Sequence, residues 1–185
     1  MLKPVPFYFL RHGQTDWNLA KRLQGQTDIP LNATGRAQAL AAKALITKLR
    51  LTKVCSSDLS RAYETAEIVT TDLRLPIITV SGIREVTLGE ADGRQRGPWY
   101  LRWKSGELAI AGAETRADFS DRIVAGINNI LEDGELTLIV SHGGVYSALT
   151  DQLNIKLSQR IENCMLIYFQ PVVGSNNNWM IEVIS

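Results

Sequence analysis

Short apolar runs alternate along this chain with longer segments in which apolar residues recur every three or four positions. Four of the runs have the length and composition of buried strands: residues 5–10, 53–56, 77–80 and 136–140. Strands that alternate with amphipathic helices favour an α/β fold. We therefore predict a three-layer α/β sandwich in which helices flank a mainly parallel central sheet.

Two of the periodic segments predict helices with a defined inner face. The first begins after Asn32, a suitable N-cap, and its apolar series predicts an inward stripe of Ala37, Leu40, Ala41, Ala44, Leu45 and Leu49. The second is entered at Ser57 and Asp58, and its predicted stripe is Leu59, Ala62, Ala66 and Val69. Asp58 in its first turn would suit the positive end of the helix dipole. Further helices are predicted at 116–132 and from 143 to 153.

The C-terminal part of the chain predicts two strands, 165–170 and 179–184, joined by a polar hairpin loop at 174–178. This pair can lie antiparallel, and its outer strand offers an edge through which a homodimer is possible. No linker, repeat or other low-complexity tract divides the 185 residues. We therefore expect a single domain over residues 1–185.

Composition limits the classes of partner. The formal net charge of +1 gives no general reason to expect nucleic acid or an anionic membrane as a partner. No apolar run approaches the roughly twenty residues of a spanning helix, and prolines interrupt the short N-terminal run that a signal peptide would need. Cys55 and Cys164 lack a metal-binding spacing and are interpreted as buried thiols in a reducing compartment. We expect a cytoplasmic protein.

The chain contains only two histidines, His12 and His142, and each follows a predicted strand and precedes a glycine. Ligands of open α/β sheets bind beyond the carboxyl ends of the strands. If the two strands are parallel neighbours, both imidazoles lie in that crevice, and the glycines let the backbone turn sharply. A lone histidine is more often structural, but two at matched positions favour a functional role.

Candidate anion-binding groups accompany the histidines. Arg11 precedes His12, and Arg61 lies in the first turn of the helix that follows the strand at 53–56. Guanidinium groups beside a helix N-terminus favour a phosphoryl ligand. A neutral imidazole can attack phosphorus, and adjacent cations lower its pKa.

A zinc site needs three or four ligands, usually in compact His/Cys spacing, and the sequence has no such cluster. We therefore expect no metal, and we expect no cofactor.

Several motifs of the chain resemble those of the histidine phosphatase superfamily, the phosphoglycerate mutase-like enzymes. Residues 10–18 (LRHGQTDWN) match the nucleophile motif, and residues 141–144 (SHGG) match the second histidine motif. Further matches in the right order lie at 24–25, 28–32, 35–39, 56–62, 65–66 and 84–85 with Gly89. The resemblance implies a phosphoglycerate mutase-like fold and a phosphoryl-transfer reaction.

The resemblance also implies roles for individual residues. His12 would be the phosphorylated nucleophile, with Arg11, Arg61 and His142 around the phosphate. Glu85 would protonate the leaving oxygen and then take a proton from water. Without the resemblance, three other acidic residues would be equally acceptable: Glu64, Glu67 and Glu90. The predicted substrate-binding residues are Arg11, Thr15, Asn18, Gln24, Gly25, Arg61 and Gly143.

Where the sequence departs from the superfamily pattern, the differences affect the prediction of the substrate and not that of the reaction. Residues 91–93 (ADG) and 111–115 (AGAET) differ from the usual motifs around the variable lid, which leaves the substrate open. The middle section lacks the longer insertion of glycolytic mutases, and this favours hydrolysis of a small-molecule phosphomonoester. The alternatives are a cofactor-dependent phosphoglycerate mutase and a non-catalytic module that binds a phospho-ligand.

Residues 94–104 interleave basic and aromatic side chains: Arg94, Arg96, Arg102 and Lys104 with Trp99, Tyr100 and Trp103. One interpretation is a lid that recognises a phosphorylated substrate with a flat or acidic portion. The other is an amphipathic helix that packs its aromatic side chains inward and leaves its cations in solvent.

Overall fold

Six strands form one sheet in the computed structural model, which describes residues 1–155, 160–172 and 178–185. The strands are β1 (Phe7–Arg11), β2 (Lys53–Ser56), β3 (Ile77–Thr79), β4 (Thr137–Ser141), β5 (Leu166–Pro171) and β6 (Trp179–Ile184). The helices in the same ranges are α1 (Asp16–Leu19), α2 (Ala33–Ile46), α3 (Ser60–Thr70), α4 (Pro98–Lys104), α5 (Arg116–Ile130) and α6 (Gly143–Gln152). None of these helices is long and apolar enough to cross a membrane.

The strand order is β3-β2-β4-β1-β5-β6. The first four strands in this order run parallel to one another, and β5 pairs antiparallel with both β1 and β6. The predicted mainly parallel sheet and the antiparallel terminal pair are therefore confirmed. The predicted loop at 174–178 lies outside the described residues, except for Asn178, whose carbonyl accepts a hydrogen bond from Val172 N.

Helices cover both faces of the sheet, which confirms the three-layer sandwich. Successive side chains of a strand point to opposite faces, and β1 follows this rule. Phe7 and Phe9 pack with the apolar residues of α5 and α6, whereas Leu10 packs with those of α2 and α3. All three side chains are fully buried. The central strand β1 thus packs against apolar residues on both faces of the sheet, and its polar chemistry begins where the strand ends.

The inner face of α2 differs from the predicted stripe. Its buried residues are Gly35, Ala39, Ala42 and Ile46, while Leu40 is 63% exposed. This alanine-rich helix carries two overlapping apolar series, and the one with smaller side chains faces inward because the backbone packs closely there. A Cβ at Gly35 would lie 2.1 Å from the carbonyl oxygen of Gln14. The predicted N-cap is confirmed, since the Asn32 side chain accepts a hydrogen bond from Gly35 N.

The start of α3 also differs from the prediction. The predicted apolar stripe is buried, but the helix begins at Ser60. Asp58 therefore precedes the first turn and pairs instead with the guanidinium of Arg84, at 2.5 and 2.7 Å. Asp28, distant in sequence, takes the expected place at the helix N-terminus. Its Oδ1 accepts hydrogen bonds from Ser60 N at 2.9 Å and Ser60 Oγ at 2.8 Å.

Candidate active site

The register of the two central parallel strands brings the two histidines together. Arg11 at the end of β1 lies opposite Ser141 at the end of β4, and in each strand the next residue is a histidine. His12 N donates to Ser141 O at 2.9 Å. The two imidazole ring centroids are 5.2 Å apart, at the sheet edge where ligands of such folds bind.

The His12 imidazole presents Nε2 as an unprotonated nitrogen. The residue is 3% exposed, and its Nδ1 lies 2.7 Å from the carbonyl oxygen of Gly13. A carbonyl oxygen only accepts hydrogen bonds, so Nδ1 carries the proton and the lone pair resides on Nε2. Burial, followed by the positive charges of Arg61 and Arg11, holds the His12 pKa well below its usual value. The ring is therefore neutral at neutral pH.

Two guanidinium groups are held beside this ring by backbone carbonyls. Arg61 is fully buried, and its Nη1 and Nη2 donate to Thr27 O at 3.0 Å and Gly25 O at 2.9 Å. Arg11 Nη1 donates to Ile161 O at 2.8 Å. Burial lowers the pKa of Arg61 to about 10, so the group remains charged at neutral pH. These contacts leave the Nε–H of each arginine for another partner.

His142 lies at the N-terminus of α6 and is also fully buried. Its Nε2 is 2.8 Å from Ser57 Oγ. If the hydroxyl donates, the proton of the neutral ring is on Nδ1, which becomes a hydrogen-bond donor. Burial is the main cause that lowers the His142 pKa well below its usual value, and Arg61 and His12 contribute.

Among the described residues, the buried side-chain polar atoms without a partner all belong to predicted site residues. Within the described ranges, the buried side-chain atoms without a hydrogen-bond partner are Arg11 Nε, Arg61 Nε, His142 Nδ1 and Gln24 Oε1. An unpartnered buried donor costs about 1–3 kcal/mol, and such groups are rare in folded proteins. With Ser57 Oγ as the donor to His142 Nε2, His142 Nδ1 joins the two arginine Nε atoms as a third donor, and such a set suits a ligand with several acceptor oxygens.

Glu85 lies on the wall of the same cavity, which has a volume of about 670 Å³. Its Oε2 accepts from Gly144 N at the start of α6, and its Oε1 accepts from Val86 N, each at 2.9 Å. A Cβ at residue 144 would lie 1.9 Å from Glu85 Oε1, so this carboxylate position requires a glycine there. Of the four acids considered from sequence, Glu85 alone lines the cavity, while Glu64, for example, pairs with Arg36 on the surface.

The predicted substrate-binding residues occupy two kinds of position. Asn18, Gln24, Gly25 and Gly143 line the cavity together with Arg11 and Arg61. Thr15 does not, which corrects its predicted placement: it is fully buried as the N-cap of α1 and exchanges hydrogen bonds with Asn18. Its hydroxyl therefore faces the helix that carries Asn18. His142 does not line the cavity either, and its ring is fully buried beside that of His12. Among the described residues, no group of three or more His, Cys, Asp or Glu side chains is arranged to hold a metal ion.

A model of the histidine phosphatase superfamily (branch 1) matches residues 7–168. The chain belongs to this superfamily. The Bacillus subtilis "Uncharacterized phosphatase PhoE" is 34% identical over 78% of this chain and 75% of the relative. The Salmonella choleraesuis "Probable phosphoglycerate mutase GpmB" is 32% identical over 95% of this chain and 90% of the relative. Both phosphatases and mutases are thus named among its relatives.

Solved structures share this architecture over nearly the whole chain. A mycobacterial glucosyl-3-phosphoglycerate phosphatase in complex with VO3 has 29% identity and a TM-score of 0.80, covering 97% of this chain and 98% of that chain. Bacillus stearothermophilus YhfR has 26% identity and a TM-score of 0.82, covering 96% and 95%. The predicted phosphoglycerate mutase-like fold is confirmed.

This member of the histidine phosphatase superfamily also carries cavity residues that the sequence did not predict. Asn163 donates from Nδ2 to His12 O at 2.9 Å, and Lys21, Arg22 and Arg160 add positive charge to the cavity wall. None of them lies within a motif that is adjacent to a predicted strand end. Basic residues are spread along the chain, and the sequence alone does not identify which of them face the cavity.

In residues 94–104, some side chains pack as expected of an amphipathic helix, and others face the cavity as expected of a lid. Trp103 of α4 is buried, and its Nε1 donates to Glu114 O at 3.1 Å, as expected of an amphipathic helix. Arg102 is exposed and does not line the cavity. Arg96 and Tyr100 do line it, with the guanidinium carbon of Arg96 lying 4.7 Å from the centre of the Tyr100 ring. Gln95 lines the cavity as well, so the part of the segment that faces the site lies between residues 95 and 100.

The two buried histidines should make the free energy of unfolding depend on pH. Because their folded pKa values are lowered, the unfolded chain binds protons below about pH 6.5 that the folded chain does not. Stability should therefore fall as the pH is lowered from about 7 to about 5.5, by up to about 1.4 kcal/mol per pH unit for each histidine. Urea denaturation at a series of pH values measures this slope.

The single variants His12→Asn and His142→Asn serve as controls for this slope. The chain has no other histidine, so each variant should remove about half of the dependence in this pH range, and the double variant nearly all of it. A double variant that kept the wild-type slope would contradict the assignment.

Proposed function

We propose that this histidine phosphatase hydrolyses small-molecule phosphomonoesters through a phosphohistidine on His12. The observation that carries the proposal is the set of unpartnered buried donors on Arg11, Arg61 and His142 around the His12 ring. A phosphoryl group has enough oxygens to accept a hydrogen bond from each of these three residues. Its negative charge would offset the positive charge of the two guanidinium groups. The VO3 complex of the mycobacterial phosphatase supports this interpretation, since its fold is shared.

In the first step, the lone pair on His12 Nε2 attacks phosphorus and the bond to the ester oxygen breaks. Throughout this step Nδ1–H donates a hydrogen bond to Gly13 O, which stabilises the positive charge that the ring acquires. The donors of Arg11, Arg61 and His142 bind the phosphoryl oxygens while charge is redistributed. Glu85 in its protonated form gives its proton to the leaving oxygen, which departs as a neutral alcohol.

In the second step, water replaces the histidine on phosphorus. Glu85, now a carboxylate, takes a proton from the attacking water, and the P–N bond breaks with its electron pair returning to Nε2. Inorganic phosphate leaves, and His12 and Glu85 are restored to their starting states. No metal or cofactor enters either step as proposed.

A phosphoglycerate mutase is the second candidate, and the similarity to GpmB favours it. A mutase would transfer the phosphoryl group from His12 to a second hydroxyl of a bound substrate and would need to exclude water. Release of inorganic phosphate without a bisphosphate primer distinguishes hydrolysis from this reaction. A non-catalytic binding module would bind phospho-ligands while His12 acquired no phosphate.

For the substrate we propose a phosphomonoester whose alcohol portion is itself anionic or flat. Lys21, Arg22, Arg96 and Arg160 line the cavity with Tyr100, beyond the residues assigned to the phosphate. Within the described ranges, no hydrogen bond or ion pair occupies the guanidinium of Arg96. These cations would favour a leaving group that carries a negative charge, and Tyr100 would favour a planar one.

A cytoplasmic location, a single domain and a homodimer through the edge of β6 stay predictions.

The proposed reaction requires His12 but no added metal. We expect the wild-type protein to release inorganic phosphate from a panel of phosphomonoesters in the presence of EDTA. His12→Ala should lower this rate by about a thousandfold or more, because the nucleophile is lost. A colorimetric phosphate assay measures both rates, and cooperative unfolding of the variant separates loss of the nucleophile from loss of the fold. Full activity in His12→Ala would contradict the mechanism.

Arg96 and Arg102 form a matched pair for testing substrate recognition, since only Arg96 lines the cavity. Arg96→Gln should raise KM for phosphomonoesters with a second anionic group by about threefold to tenfold, since it removes a cation. Arg102→Gln should leave KM unchanged. Steady-state kinetics of both variants on the same panel give the comparison. Equal effects of the two substitutions, or none of Arg96→Gln on any substrate, would exclude this role of Arg96.

A further inference from the structure

The guanidinium of Arg122 on α5 lies behind the chain segment that carries Glu85. Its Nη1 donates to Gly82 O and to Arg84 O, both at 3.1 Å, and its Nη2 donates to Glu85 O at 3.2 Å. Three carbonyls of one loop are thus held by a single side chain. Arg122 does not line the cavity and does not contact His12, so the proposed mechanism assigns it no role.

Glu114 completes this arrangement from the other side. It forms a two-pronged ion pair with Arg122, with Nε–Oε1 at 2.6 Å and Nη2–Oε2 at 2.8 Å. The same Oε2 accepts from Thr87 N at 2.8 Å, and Glu114 N donates to Thr87 O at 2.9 Å. The pair therefore binds the loop both before and after Glu85.

The loop is also packed against α5 with little free space. A Cβ at Gly126, one turn after Arg122, would lie 3.0 Å from the backbone of Gly82. Ser141 Oγ at the end of β4 donates to Ile83 O at 2.8 Å. These contacts fix the backbone of the loop, while Gly144 N binds the Glu85 carboxylate itself. The position of the carboxylate relative to His12 therefore depends on where the loop backbone is held.

We propose that Arg122, oriented by Glu114, is a positioning residue that places the Glu85 carboxyl for proton transfer to the leaving oxygen. The inference rests on the proposed function, because it takes Glu85 as the acid. Arg122 makes its five hydrogen bonds through three nitrogens with fixed relative directions. A lysine ammonium keeps the charge but has no planar fork, so Arg122→Lys tests the geometry rather than the charge.

The readout is the ratio of kcat/KM for two monoesters with different leaving groups. The alkoxide from glycerol phosphate needs a proton to leave, whereas para-nitrophenolate from para-nitrophenyl phosphate leaves without one. Arg122→Lys should lower kcat/KM for glycerol phosphate by about 10- to 100-fold, since a small displacement of a catalytic group has an effect of this size. The value for para-nitrophenyl phosphate should change by less than about threefold.

Three variants make this test decisive. Glu114→Gln breaks the ion pair and should change the ratio in the same direction, and Glu85→Gln should change it most. Arg116→Lys is the matched control on the same helix, where Arg116 pairs with Asp151, and should leave the ratio unchanged. Because both substrates are measured on one preparation, the ratio does not depend on the fraction of protein that is folded.

The outcomes separate this inference from the function on which it rests. Equal loss of both activities in Arg122→Lys, or loss of neither, would overturn the positioning role while the hydrolase proposal stands. A wild-type protein that releases phosphate from neither ester and from no member of the phosphomonoester panel would overturn the proposed function itself. A Glu85→Gln variant with an unchanged ratio would remove Glu85 as the acid, and the role of Arg122 with it.

Discussion

The fully buried guanidinium of Arg61 is the constraint on which the rest of the site depends. Two backbone carbonyls hold it, and no carboxylate of the described residues neutralises its charge in a direct ion pair. Moving a charge out of water is costly unless it is paired. The same positive charge helps to keep His12 and His142 neutral. One buried cation thus favours an anionic ligand and maintains the nucleophilic form of the ring.

The fold holds these groups in place with close backbone packing. A Cβ at Gly13 would lie 2.5 Å from Gly35 O, so the turn after His12 touches the first turn of α2. Gly13 N donates to Thr65 Oγ1, one turn after Arg61 on α3. The nucleophile, the helix that carries the buried arginine and the start of α2 therefore meet at one point. The ring and the guanidinium are fixed before a ligand arrives, which is the arrangement that electrostatic stabilisation of a transition state requires.

Much of the fold and site followed from local features of the sequence. Strand runs and two histidines at strand ends predicted the parallel sheet and the crevice, because both depend on short-range patterns. The stripe of α2 was wrong because an alanine-rich helix offers two apolar faces, and packing against Gln14 selects the smaller. Asp58 was misassigned because its partner Arg84 is distant in sequence. Asn163 was missed because nothing near it in the sequence indicates contact with His12.

The central claim is that phosphorus becomes bonded to His12 during the reaction, and rapid-quench trapping tests it most directly. The protein would be mixed with a 32P-labelled phosphomonoester, stopped with alkali within milliseconds to seconds, digested and mapped. We expect an acid-labile, alkali-stable label on the peptide that contains His12, with a longer lifetime in Glu85→Gln because the second step is slowed. Continued release of phosphate with no label on His12 at any time would contradict it.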